Sequence, residues 1–227
     1  MTRARLGIVT IGQTPRSDVV PEMAEVLGPG VEILERGALD GLPIQAITAL
    51  APGPGDEVLV TRLRGGSQVF VAHRHVAPRV QACLADLDRA GVTLSALLCT
   101  GVFPGLASAA PLLHPDRLLL GVLRGLAWSG RLGVLTPSAA HVPQTLGRWR
   151  GYGFDPAVAV LSPYEEDDGR ALGLAVEGLG GGEAGVVVLD CMGYRRKVKA
   201  EVRARLGVPV LQANLLLARV AAELLAP

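Results

Sequence analysis

The sequence predicts an α/β protein made of two pseudo-symmetric domains, each with a parallel sheet and with the site in the cleft they form. Three observations carry the prediction. Short β-branched or Leu-rich runs alternate with longer amphipathic stretches, the spacing of βαβ units with right-handed crossovers. The hexamer "RLGIVT" (5–10) recurs almost unchanged as "RLGVLT" (131–136). "LLCTG" (97–101) is echoed, in the same order, by "LDCMG" (189–193). Each half thus holds an opening strand and a later strand that stops at Cys-X-Gly.

The pattern places strands near 5–10, 31–35, 95–99, 118–123, 131–136, 157–161, 185–190 and 208–211. Helices are expected near 18–27, 76–90, 138–151, 165–178, 195–206 and 213–225. One stretch breaks the rhythm. "DEVLVTRLRGGSQVFVAH" (56–73) has two alternating segments around Gly65-Gly66 and follows the turn-rich "APGPG" (51–55), the signal of a β-hairpin. Cys99 lies 93 residues after Leu6, whereas Cys191 lies 59 after Leu132; an insertion over 38–73 accounts for the difference. The first domain is expected at 1–127 with the C-terminal helix 212–227, and the second at 128–211, joined through the "GLAWSG" turn (125–130). "GLGGGEAG" (178–185) reads as a flexible loop entering a strand.

Bulk properties narrow the function. The chain has 227 residues, 49% hydrophobic, with a net charge of +1, which gives no electrostatic reason to expect nucleic acid or a membrane surface as partner. No run approaches the roughly 18 apolar residues of a membrane span, and no signal pattern opens the chain. Three cysteines do not make a disulfide framework, so a cytoplasmic protein with reduced thiols is expected. No G-x-G-x-x-G follows a strand and no P-loop pattern occurs, so no nucleotide or other cofactor is expected. His73-Arg74-His75 has no matching cysteine or carboxylate pattern, and no metal site is expected there.

In a parallel α/β sheet, ligands bind beyond the carboxyl ends of the strands. The candidate residues all sit at such ends: Gln13, Thr14 and Arg16 after the first strand; Cys99, Thr100 and Gly101; Thr136, Pro137 and Ser138; and Cys191, Met192, Gly193 and Tyr194. Helix N-termini suit these loops to carboxylates or phosphates. Thr14-Pro15 and Thr136-Pro137 resemble cap-then-proline helix starts, and Pro21 puts the first helix start near Ser17 or Asp18. A guanidinium at Arg16 would favour a multiply anionic acid. A thiol at a strand end beside a helix N-terminus can act as thiolate. Two of them, one per half, suggest a base and an acid on opposite faces of one carbon, or one nucleophile in an isomerisation. Cys83, mid-helix in "RVQACLADL", is read as core. Asp190 is read as orienting its loop, "YEEDDGR" (164–170) as a solvated helix start, and Tyr194 equally as a helix start or a ligand contact.

"TIGQTPRSDVVPEM" (10–23), "LLCTGVFPGL" (97–106) and "LDCMGY" (189–194) resemble the AroM protein family over essentially the whole chain. That family is similar to the aspartate/glutamate racemase superfamily, with its maleate isomerases and arylmalonate decarboxylases. The resemblance implies two similar α/β domains with one active-site cysteine each, here Cys99 and Cys191. Thr100 and the Thr136-Pro137-Ser138 turn would bind carboxylate, and homodimers are common in the superfamily. The chain departs from glutamate racemases in following its second cysteine with Met192-Gly193 instead of Thr-His, which removes an obvious polar partner. It departs again in carrying Gln13-Thr14-Pro15-Arg16 where an acidic residue is frequent. The function implied is a cofactor-independent racemase or isomerase of a small carboxylic, preferentially dicarboxylic, acid. The alternative is a non-catalytic small-acid binder or regulator linked to aromatic amino-acid (shikimate) metabolism.

Overall fold

A computed structural model describes residues 4–165, 169–180 and 183–226. The chain divides into two compact units, one running up to Asp116 with Leu217 onward added, the other Arg117–Leu216.

In the first unit, β1 (Ala4–Thr10) is buried from Leu6 to its end, as a central parallel strand must be. It is followed by α1 (Val20–Leu27), β2 (Val31–Gly37) and the short α2 (Ile44–Thr48). An antiparallel hairpin, β3 (Val58–Arg62) and β4 (Gln68–Ala72), comes next. Then follow α3 (His73–Arg89), the fully buried β5 (Leu94–Leu98) and β6 (Leu112–Leu113). The sheet order is β2-β1-β5-β6 and every pairing is parallel. α3 lays Val76, Val80, Leu84 and Leu87 against this sheet, an i, i+4 stripe that fixes its inward face.

In the second unit, α4 (Pro115–Gly125) leads into β7 (Arg131–Thr136), a 3₁₀ turn at Ala139–His141 and α5 (Val142–Gly151). β8 (Pro156–Val160), α6 (Arg170–Gly178), β9 (Ala184–Leu189), α7 (Arg196–Leu206) and β10 (Val210–Gln212) follow, and α8 (Ala213–Leu225), whose residues from Leu217 belong to the first unit, completes the chain. The sheet order is β10-β9-β7-β8, again all parallel. Written from the other edge it is 8-7-9-10 against 2-1-5-6, so β1 matches β7, β2 matches β8 and β5 matches β9. The echoed hexamers are the central strands, and the Cys-X-Gly motifs follow equivalent strands. α2 and the β3–β4 hairpin occupy the stretch between β2 and α3. Among the described residues, the stretch between β8 and α6 has no such insertion.

The structure corrects several expectations. Residues 118–123 form not a strand but part of α4, whose Leu119 and Leu123 are buried one helical turn apart while Arg117, Gly121 and Arg124 are exposed. A short apolar run has no period with which to choose between strand and helix. Thr14-Pro15 does not start a helix: α1 begins at Val20 and Pro21 takes the early-turn position. Likewise Thr136 is the last residue of β7, and α5 begins only at Val142, with its own early proline. His73 and His75 lie in the first turn of α3 and not on an extended segment. The acidic cluster near 164–170 and the glycine loop near 178–185 lie partly outside the described residues, at 166–168 and 181–182.

The hairpin is held against the loop after β1. Gln13 N–H donates to Arg62 O at 3.3 Å, and Arg64 donates to Gln13 Oε1 at 3.0 Å and to Thr14 O at 2.7 Å. Gly12 makes this approach feasible, because a Cβ there would lie 2.3 Å from Thr61 Oγ1 and 2.6 Å from Arg62 O. Gly12→Ala is therefore expected to cost about 1–3 kcal/mol and to lower Tm by roughly 3–10 °C in scanning calorimetry.

Candidate functional site

Each unit presents its predicted residues at the carboxyl ends of its strands. In the first, the chain leaves β5 through Cys99, which is buried, and the Gly101 N–H donates to Cys99 Sγ at 3.3 Å. Phe103 packs in the same apolar cluster as Cys99, and its ring lies 4.4 Å from the His73 ring, tilted by 43°. Thr100 is also buried.

The loop after β1 departs from the sequence expectation. Arg16 is only 2% exposed, and its guanidinium is engaged within the protein. Nε and Nη2 donate to the two carboxylate oxygens of Asp18, each at 2.9 Å, and Nη1 donates to Thr10 Oγ1 at 2.9 Å. Burial raises the Asp18 pKa, but the Arg16 hydrogen bonds and charge outweigh it, and the carboxyl sits below its ordinary value. Thr14 donates through N–H and Oγ1 to Asp40, at 2.9 and 2.7 Å. Gln13 spans from Leu39 O to the Arg64 N–H. These side chains build the loop. The cation expected to meet an anionic ligand is instead neutralised by a carboxylate two residues on, a reading the Arg-Ser-Asp spacing allowed but did not demand.

In the second unit, Cys191 is buried just beyond β9, and its Sγ lies 3.8 Å from Tyr164 Oη. Asp190 orients this loop, as the sequence suggested. Its carboxylate forms an ion pair with Arg148 and accepts the Trp149 Nε1–H at 3.0 Å. Tyr194 is fully buried and donates to Leu161 O at 2.7 Å. Burial pushes its phenol well above the ordinary range. Two amides, each about 1% exposed, clamp the backbone from below. Asn214 Nδ2 donates to Met192 O at 2.9 Å and to Tyr194 O at 2.8 Å, and Gln212 Nε2 donates to Tyr194 O and Asn214 Oδ1, both at 2.8 Å.

Beyond β7, Thr136 shares a 3.0 Å hydrogen bond with Thr145, and Pro137 leads to Ser138, whose Oγ lies 2.8 Å from His141 Nδ1. Burial lowers the His141 pKa to about 4, with Asp190 opposing and Arg148 reinforcing the shift. The third thiol, Cys83 on α3, is pushed up to about 11 by burial.

Sequence reasoning missed Tyr164, His141, Asp40, Asn214 and Gln212. One signal was available: "LQANLLL" (211–217) sets two amides in an apolar run, and buried amides are informative because they must be hydrogen-bonded.

The AroM protein family model matches residues 6–225. The chain belongs to the AroM family. A comparison of its sequence with curated proteins finds no match. Among solved structures, the AroM chain is similar to allantoin racemase from Klebsiella pneumoniae, with 16% identity, TM-score 0.64, and coverage of 98% of this chain and 88% of that one. It is also similar to aspartate racemase from Picrophilus torridus, with 12% identity, TM-score 0.60 and coverage of 98% and 94%. A third is the maleate isomerase Iso from Pseudomonas putida S16, with 13% identity, TM-score 0.64 and coverage of 98% and 92%. At these identities the likeness establishes an Asp/Glu racemase-like fold.

Two predictions follow from the side-chain networks. Arg16→Ala would strand the buried Asp18 carboxylate, costing about 3–5 kcal/mol and on the order of 10 °C in Tm. Arg16→Lys would restore only part of this, because an ammonium cannot span both oxygens. A variant that melted like wild type would return Arg16 to the ligand. For His141, the folded value near 4 lies below the ordinary 6.5, so the unfolded chain binds the extra proton in that window. Its contribution is whole above about pH 6.5 and is lost as the pH falls toward 4, a change on the order of 3 kcal/mol. His141→Gln should flatten that part of the Tm–pH curve.

Proposed function

We propose that this AroM protein is a cofactor-independent racemase or isomerase of a small carboxylic acid, with Cys99 and Cys191 as its acid–base pair. The supporting observation is the placement of the thiols, since each follows the equivalent strand of its unit, β5 and β9, beside the central strand that ends in Thr10 or Thr136. The racemase and isomerase folds among its structural neighbours support the same class.

In the racemisation form, the thiolate of one cysteine takes the proton on the carbon next to the substrate carboxylate. The electron pair is delocalised into that carboxylate, and the thiol of the other cysteine returns a proton on the opposite face. One thiolate and one thiol remain, with their roles exchanged, so nothing is oxidised or reduced. Stabilising the enediolate falls to preorganised donors, for which the hydroxyls of Thr100 and Ser138 and the loop backbone at Met192-Gly193 are assigned. Because Arg16 is paired with Asp18, the preference for a second carboxylate loses its motive. A single carboxylate is sufficient.

The binder reading rested on the missing polar group after Cys191 and on the AroM family having no established reaction; Tyr164 Oη, near that thiol, answers the first of these. The test is solvent deuterium uptake at the acidic carbon of mono- and dicarboxylic acids, followed by NMR. Wild type should exchange one substrate class, and Cys99→Ser and Cys191→Ser should each lose at least about a hundredfold in rate. Exchange that survives both substitutions sinks the mechanism. Acids that raise Tm without any exchange would establish the binder.

A further inference from the structure

We infer that Tyr164 is the hydrogen-bond donor that favours the thiolate of Cys191, a positioning residue for the second thiol. This rests on the acid–base role proposed for Cys191.

Three observations converge. Tyr164 Oη lies 3.8 Å from Cys191 Sγ. The ring reaches that place by lying on bare backbone: a Cβ on Gly193 would sit 2.6 Å from Tyr164 Cε1, 2.8 Å from Cζ and 2.9 Å from Oη. Any other residue at 193 would push the phenol away, so the glycine two positions after the cysteine belongs to the tyrosine. The backbone under the ring is also fixed, because the Asn214 amide holds the carbonyls on both sides of Gly193, at Met192 and Tyr194.

Several described groups near the thiol are engaged elsewhere. The Asp190 carboxylate adjoins the cysteine and would oppose a thiolate, but Arg148 and Trp149 Nε1–H compensate it. The Tyr194 hydroxyl spends its proton on Leu161 O. His141, kept neutral by burial, is hydrogen-bonded to Ser138. A phenol donates and a thiolate accepts, and a donor that binds the anion but gains little from the neutral thiol lowers the thiol pKa. No proton passes to the tyrosine. When Cys191 ionises, its proton goes to water or to substrate while the phenol keeps its own.

The experiment reads each thiol without substrate. The full-length chain is alkylated with iodoacetamide at pH values from about 5 to 10, and rates are resolved for each cysteine by peptide mass spectrometry. Tyr164→Phe should move the Cys191 profile up by about one pH unit and slow its alkylation at pH 7 roughly tenfold, leaving Cys99 unchanged. Gly193→Ala, which retains the phenol but displaces the ring, should move Cys191 in the same direction. An unmoved Cys191 profile in Tyr164→Phe overturns the inference. So does an equal shift at Cys99, or a wild-type Cys191 that is not alkylated at any pH. If Cys191 shifts as expected but wild type exchanges no substrate deuterium, the catalytic reading fails and this one stands.

Discussion

A loop that leaves the end of a buried parallel strand carries polar backbone groups into a place where water is scarce, and each must find a partner. That constraint governs both units of this protein. The second unit meets it with the Gln212–Asn214 amide pair, which ties the turn after β9 to the start of the neighbouring strand's helix. The first meets it with Asp40, which takes Thr14 N–H and Oγ1, and with Arg16, Asp18 and Thr10. Remove these side chains and neither the loop after β1 nor the loop that carries Cys191 has a fixed course. The position of Cys191 is thus a property of residues more than twenty places away in sequence.

The same constraint explains which parts of the molecule were legible. Strands β1, β5, β7 and β9 could be read because each is a run of apolar residues ending at glycine or a turn, and because two of them repeat their sequence. The hairpin was legible through Gly65-Gly66 and alternation on either side. α4 was not: its leucines satisfy a buried strand and a buried helix equally, and Pro115 at its start is the feature that deserved more weight. The Thr-Pro pairs misled because a proline after a hydroxyl residue is as suited to a loop as to a helix start, and in both units a later proline took the helical position.

At the strand ends, the two cysteines stood out because the echoed motifs mark them. The roles of their neighbours were not, since those depend on long-range pairing. Arg16 read as a cation awaiting a ligand, yet Asp18, two residues on, takes its Nε–Nη2 edge and Thr10 takes Nη1. Tyr164 was hidden within an acidic cluster, and nothing in "SPYEED" points toward "DCMGY" until α6 and β9 fold the chain back. Asp190 could be assigned correctly because a carboxylate at a buried strand end has few choices other than to be paired.

The duplication is an equality of strands, not of surroundings. Cys99 faces a backbone amide from its own loop, whereas Cys191 faces a phenol borrowed from another. The first donor cannot be altered without rebuilding the turn; the second can be changed by a single codon. Two strands of the same order and pairing thus end in thiols with unlike neighbours, one fixed by the turn itself and one held by a side chain that a single substitution removes.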